Sequence, residues 1–242
     1  MASVDRSGAL RHLRRVDPVL GAFIRSAGPC ALRPERGESP YEALVHAVAH
    51  QQLHRSAAEA IFARFLALFP GPGFPEPQAV LAADPAGLRA TGFSAAKIAT
   101  IRAISEAAIS GVIPTRRAAA RLSDEALIER LTSVRGIGRW TVEMLLIFTL
   151  GRPDILPVDD FGIREGYRLL HGLAVQPKPR ALAEIGAVWA PYRSTASWYL
   201  WQRARQVKAE AEAAKQAAKG EGRKGKPGPK PRLKSSKPRP TP

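Results

Sequence analysis

The chemistry in this chain is concentrated between residues 134 and 160. Val134-Arg135-Gly136-Ile137-Gly138-Arg139-Trp140-Thr141 reads as two helices joined by a tight turn, and Asp159-Asp160 follows a short apolar helix later. Glycine lets backbone approach a ligand closely. The N–H groups that open the second helix have no carbonyl to bond, and the helix dipole favours an anion there. A DNA phosphate suits such a turn. Gly136, Ile137, Gly138 and Thr141 would form the grip, and Arg135 and Arg139 would add charge-assisted contacts that set register without reading sequence. Leu131, Val134, Ile137 and Thr141 surround the turn at helix-hairpin-helix spacing rather than that of a simple packing corner. A carboxylate beside such a grip could stabilise positive charge on a sugar as its base departs, which is cleavage of the sugar–base bond without a metal. Trp140 and Met144 share a helix face close to both features. An indole face attracts a cationic base flipped out of the duplex.

These groups need a scaffold, and the sequence describes a helical one. Ser39 and Glu42 make a capping box, with Pro40 at the first helical position. The stripe Tyr41, Leu44, Val45, Val48 then predicts a helix to about Leu53. Ser56 and Glu59 are expected to box the next helix, which Phe69-Pro-Gly-Pro-Gly ends. Short helices are expected at 77–83 and 85–90, and a longer one starts at Ser94 with Ile101 and Ile104 inward. Ser123 caps the helix entering the hairpin. The helix leaving it, Arg139 to Leu150, is apolar nearly all round and should be the buried spine. Helices at 160–171, 179–189 and from Ser194 follow, and no solenoid-type repeat is evident. The fold class is all-α, with two helical lobes around a helix-hairpin-helix core and a cleft between them. One domain is expected over 1–207, with a middle lobe at about 40–115 and a second lobe from the N-terminal segment plus 116–207.

Composition narrows the partners. The 242 residues carry a formal charge of +16; in the tail, 208–242, eight Lys and three Arg face three Glu, so half the excess stays on the body. A basic body is drawn to polyanions. Residues 220–242, rich in Lys, Gly and Pro, bury too little apolar surface to fold. The single cysteine, Cys30, excludes an internal disulfide, a multi-cysteine zinc site and a cysteine-ligated iron–sulfur cluster. No signal-peptide core and no apolar run of roughly 20 residues is present. A cytoplasmic protein without membrane contact is expected. His46, His50 and His54 lie at i, i+4, i+8, but no His-Glu-x-x-His pattern accompanies them, so neither metal nor cofactor is expected.

The segment Gly136-Ile137-Gly138-Arg139-Trp140-Thr141, with Gly151-Arg152-Pro153-Asp154-Ile155-Leu156-Pro157-Val158-Asp159-Asp160-Phe161-Gly162-Ile163-Arg164, resembles the core motif of the helix-hairpin-helix DNA glycosylases, and within them the alkyl-base branch, 3-methyladenine DNA glycosylase II. Further similarity lies in His50-Gln51-Gln52-Leu53, in Thr91-Gly92-Phe93-Ser94-Ala95-Ala96-Lys97, and in Pro191-Tyr192-Arg193-Ser194 running to Trp201, so that roughly 40–205 is covered in order.

The resemblance implies a monomeric enzyme that removes alkylated purines from double-stranded DNA, with Asp160 as the catalytic carboxylate because it directly precedes the aromatic residue and the Gly-Ile-Arg of the next helix. Asp159 is the competitor, with capping of that helix as its other role. Trp201 matches the second pocket tryptophan, packing against Trp198 being the alternative. Gln52 or Leu53 would fill the gap left by the flipped nucleotide. Lys97 is expected to be a phosphate or surface contact. Bifunctional members place a lysine nucleophile where this chain has Trp140, which implies hydrolysis to an abasic site without strand cleavage. The family has a tyrosine at the position of Met144, which softens one pocket wall here. A non-catalytic DNA-binding protein and a bifunctional lyase are the alternative readings.

Overall fold

The computed structural model describes residues 6–35 and 37–224. The helices are α1 (Arg6–Val16), α2 (Pro18–Ala27), α3 (Pro40–His50), α4 (Arg55–Ala67), α5 (Pro77–Ala82), α6 (Pro85–Ala90), α7 (Ala95–Ile109), α8 (Arg116–Ala119), α9 (Asp124–Thr132), α10 (Arg139–Met144), α11 (Phe161–Leu170), α12 (Pro179–Ile185) and α13 (Arg193–Lys224). Among the described residues there is no strand, and the fold is all-α. Compact packing divides the chain at Ala204, with residues from Arg205 forming a second unit. The described side chains at 208–216 of that unit are exposed. Residues 225–242, most of the stretch expected not to fold, lie outside the described residues.

Two hydrophobic clusters make the core of the larger unit. The first gathers α3, α4, α7, α9 and α10, from Tyr41 to Ile155. The second joins α1 and α2 to α11, α12 and the start of α13, from Leu13 to Leu200. The first cluster has members on both sides of residue 115. The spine is sequestered in the first cluster, where Val142, Leu145, Leu146 and Ile147 are buried, with α10 against α9 and the turn after it against α3. Trp201 packs against both clusters. In the second, buried Asp17 caps α2 through the Leu20 N–H and accepts the indole N–H of Trp189 at 3.1 Å, tying the N-terminal helices to the turn before α13.

Three local expectations are revised. α3 stops at His50 rather than near Leu53, because the chain turns through Gln52 at φ +56°. α4 begins at Arg55 with no side-chain cap, since Glu59 is held by Arg55 at 2.7 Å instead of serving a box with Ser56. The spine is α-helical only to Met144 and widens to a π-helical turn over Leu145–Thr149, closed by the Leu150 N–H on the Leu145 carbonyl. Such wide turns free carbonyls and recur at functional sites. Here the Phe148 carbonyl accepts from the Glu35 N–H and that of Thr149 from Arg116, both at 2.7 Å.

α11 and α13 cross with almost no room between them. A Cβ on Gly166 would run into the backbone of Leu200, and one on Gly162 would lie 3.0 Å from Trp201 and 3.1 Å from Asp160. The loop entering α11 is anchored to the same helix by Arg193, whose Nε and Nη2 donate to the Asp154 carboxylate at 2.8 and 2.9 Å. Burial works against the Asp154 charge, but the hydrogen bonds and the charge of Arg193 outweigh it and hold the carboxyl below its ordinary 3.8. Stability from this pair is present above pH 3.8 and lost as pH falls through the depressed value.

Gly166→Ala should cost about 3 kcal/mol, because the obstructing atoms are backbone and cannot rotate away. Thermal melting should show a drop of roughly 10 °C. Replacing Arg193 with Met should lower Tm most at neutral pH. The difference from the unaltered protein should shrink as pH is taken below 3.8, and a constant difference would refute the linkage.

Candidate active site

Asp160 is the N-cap of α11, and three N–H donors converge on it. Its Oδ1 accepts from the Ile163 backbone at 2.8 Å and from the indole Nε1 of Trp201 at 2.9 Å, and Oδ2 accepts from the indole Nε1 of Trp140 at 2.7 Å. One carboxylate thus joins the start of α11 to α10 and α13. Asp160 does the capping that was expected of Asp159, because its side chain turns back over the first turn of its own helix. Trp201 lies on Phe148, with ring centroids 5.6 Å apart and planes 29° from parallel, while Trp198 is buried against Tyr199. Trp140 remains 45% exposed and Phe161, next to the acid, 68% exposed. Large aromatic surface is therefore left uncovered beside the carboxylate.

Phe148 also lines a cavity of about 670 Å³. Its apolar wall includes Phe62, Phe74, Met144 and Leu145, and its polar wall includes Glu38, Glu42 and His46. Met144 is thus a cavity residue, whereas Trp140 and Trp201 hold the acid. Phe148 lines the cavity and stacks on Trp201. Phe148 was missed as a site residue although it continues the Trp140, Met144 spacing by another four residues, so the signal lay on the same helix face. Arg116 gave no such signal. It holds the segment bearing Glu38 by donating to the Glu35 and Glu38 carbonyls as well as to Thr149. Burial, then the neighbouring Glu35 and Glu42, push the Glu38 carboxyl up, while burial and His50 push the His46 imidazole down. The His46 and His50 rings lie 4.2 Å apart, tilted 43° to each other, and both meet Phe62 edge-on, while His54 precedes α4, so the three histidines do not share one helix face.

The hairpin has the geometry of a phosphate grip. Gly136 takes φ +84°, and its missing Cβ leaves room for Thr100 of α7, which a side chain would strike. Gly138 opens α10, and a Cβ there would meet nothing within 4 Å, so its face is open to a ligand. The first helical bond runs from the Val142 N–H to the Gly138 carbonyl, which leaves the N–H groups of 139 and 140 without a helical partner.

Not every residue expected to touch DNA is disposed to do so. Arg135 is exposed, but Ile137 is buried and its N–H closes the turn on Val134, and the Thr141 side chain is buried. These two anchor the hairpin from beneath. Arg139 is engaged by Glu125 at 2.9 Å and Glu143 at 3.0 Å, so its charge is already matched. Glu143 is buried, which lifts its carboxyl to about 7 despite Arg139. Lys97 is half-buried, with its ammonium donating to the carbonyls of Ala49 and Gln51. Gln52 and Leu53 are exposed at the end of that turn.

Residues 45–191 match the model of the HhH-GPD superfamily base excision DNA repair proteins. The chain is 46% identical over 204 residues to DNA-3-methyladenine glycosylase 1 of Schizosaccharomyces pombe, covering 83% of this chain and 86% of that protein. It is similar to the solved structure of the S. pombe 3-methyladenine DNA glycosylase in complex with abasic DNA, with a TM-score of 0.73 over 81% of this chain and 95% of that one. The structure of a DNA-3-methyladenine glycosidase from Bacillus halodurans, 33% identical, gives a TM-score of 0.77 over 86% of this chain and 94% of that one. Together with the hairpin and the Asp160 cluster, these matches show that the chain belongs to the HhH-GPD superfamily of base excision DNA repair proteins.

Proposed function

We propose that the protein hydrolyses the N-glycosidic bond of alkylated purines in double-stranded DNA, of the 3-methyladenine and 7-methylguanine type, and leaves an abasic site. The observation that carries this reading is the Asp160 carboxylate, held by two indole N–H groups and a helix cap and connected through Phe148 to an aromatic cavity. The cavity volume of about 670 Å³ lies within the usual range for small-molecule sites, roughly 300–1,000 Å³. A purine alkylated at N3 or N7 is cationic, and aromatic faces beside Glu38 and Glu42 attract it.

The chemistry follows from that charge. When the C1′–N bond breaks, the bonding pair leaves with the base and neutralises it, so departure needs no added proton. Positive charge moves to the sugar, where the fixed carboxylate stabilises the oxocarbenium-like state without reorganising. Water then adds at C1′ and releases a proton, for which Asp160 is the nearby acceptor. Asp159 stands next to it in the chain but outside the hydrogen-bond cluster. Trp140 occupies the position of the lyase branch's lysine, and an indole cannot form a Schiff base.

Backbone N–H groups at Gly138 to Trp140, with Arg135, would seat a phosphate. Gln52 and Leu53, the latter 39% exposed, would occupy the space vacated by the flipped base. The enzyme acts as a monomer in the cytoplasm. No described helix is long and apolar enough to cross a membrane.

Asp160→Asn should reduce single-turnover release of methylated bases by about a hundredfold or more while DNA binding changes little. The amide nitrogen cannot accept, so either Trp140 or the other donors lose their partner as well. Near-normal turnover by this variant would sink the assignment. Borohydride treatment during turnover should trap no covalent protein–DNA adduct, and a trapped adduct would restore the lyase reading.

A further inference from the structure

The start of α7 touches both elements that face the DNA. Lys97 Nζ donates to the Ala49 carbonyl and to the Gln51 carbonyl, each at 2.8 Å. Those acceptors lie where α3 ends, at the negative end of its dipole, where a cation is favoured. The next residue, Gln52, is the one described non-glycine residue with positive φ, at +56°. An L-residue is disfavoured there, so the conformation persists only where its surroundings hold it. Leu53 then projects into solvent. One turn further along α7, Thr100 sits in the space that Gly136 leaves open in the hairpin. A single rigid helix turn therefore sets the distance between the hairpin and the Gln52–Leu53 turn.

We propose that Lys97 is a positioning residue for base flipping: its ammonium locks the end of α3 so that Leu53 is presented to the stack in register with the seated hairpin. This rests on the reading of Gln52 and Leu53 as the residues that fill the vacated space. Lys97 touches neither the base nor the phosphate. Without its two hydrogen bonds the turn relaxes, and the cost falls on extruding a paired base rather than on breaking its glycosidic bond.

The test compares two duplexes, one with 7-methylguanine opposite cytosine and one with the same lesion opposite a stable abasic-site analogue, where little pairing has to be broken. Single-turnover rates on both give a ratio that is independent of the fraction of folded enzyme. Lys97→Met should slow release from the paired duplex about tenfold and from the unpaired one by less than about twofold. Lys97→Arg, which keeps a donor, should recover much of the loss. Leu53→Ala should shift the ratio in the same direction, and the double variant should be no worse than the poorer single one. Equal slowing on both duplexes, or no slowing on either, by Lys97→Met overturns the positioning role. A ratio unchanged in Leu53→Ala overturns instead the reading of that turn on which the role depends.

Discussion

The site depends on one carboxylate receiving three N–H donors from three separate segments. Asp160 caps its own helix through Ile163 and draws in Trp140 from the hairpin helix and Trp201 from the last helix. Each donor satisfies a group that would otherwise be costly to desolvate, and together they remove the rotational freedom of the acid and of both indoles. A carboxylate preorganised in this way needs no rearrangement at the moment positive charge develops beside it.

Close backbone approaches make that convergence possible. Gly162 and Gly166 let α11 lie against α13 at Trp201 and Leu200, and the Arg193–Asp154 pair stops the intervening loop from sliding. On the other side of the acid, the π-helical turn releases the Phe148 and Thr149 carbonyls to Glu35 and Arg116, which brings the Glu38 segment over the cavity. Phe148 is shared by the cavity and the Trp201 stack, so the binding space and the acid are coupled by packing as well as by proximity.

The charged residues divide by what they touch. Arg139 and Lys97 look like phosphate ligands by type and place, yet one is matched by Glu125 and Glu143 and the other by two helix carbonyls. Arg135 stays exposed. In the proposed grip, the backbone N–H groups at the start of α10 and Arg135 would supply what the paired Arg139 does not. A fixed dipole costs no side-chain entropy when the phosphate arrives.

The all-α character, most of the helices, the hairpin and the two candidate carboxylates Asp159 and Asp160 are legible along the chain. Capping residues, apolar stripes and glycine spacing act over one or two turns, and those interactions are local enough to be read along the chain. The sequence also distinguishes Trp140 from a lysine nucleophile, since that is a matter of residue type alone. It is the folded chain that makes Asp160 rather than Asp159 the cap of α11, stacks Trp201 on Phe148, and brings the Lys97 ammonium to the end of α3. In each case the partner is distant in sequence or the choice lies between adjacent residues of the same type. Periodicity cannot choose between such partners, because which one a polar or aromatic group satisfies is settled by the crossing of helices rather than by spacing within any one of them.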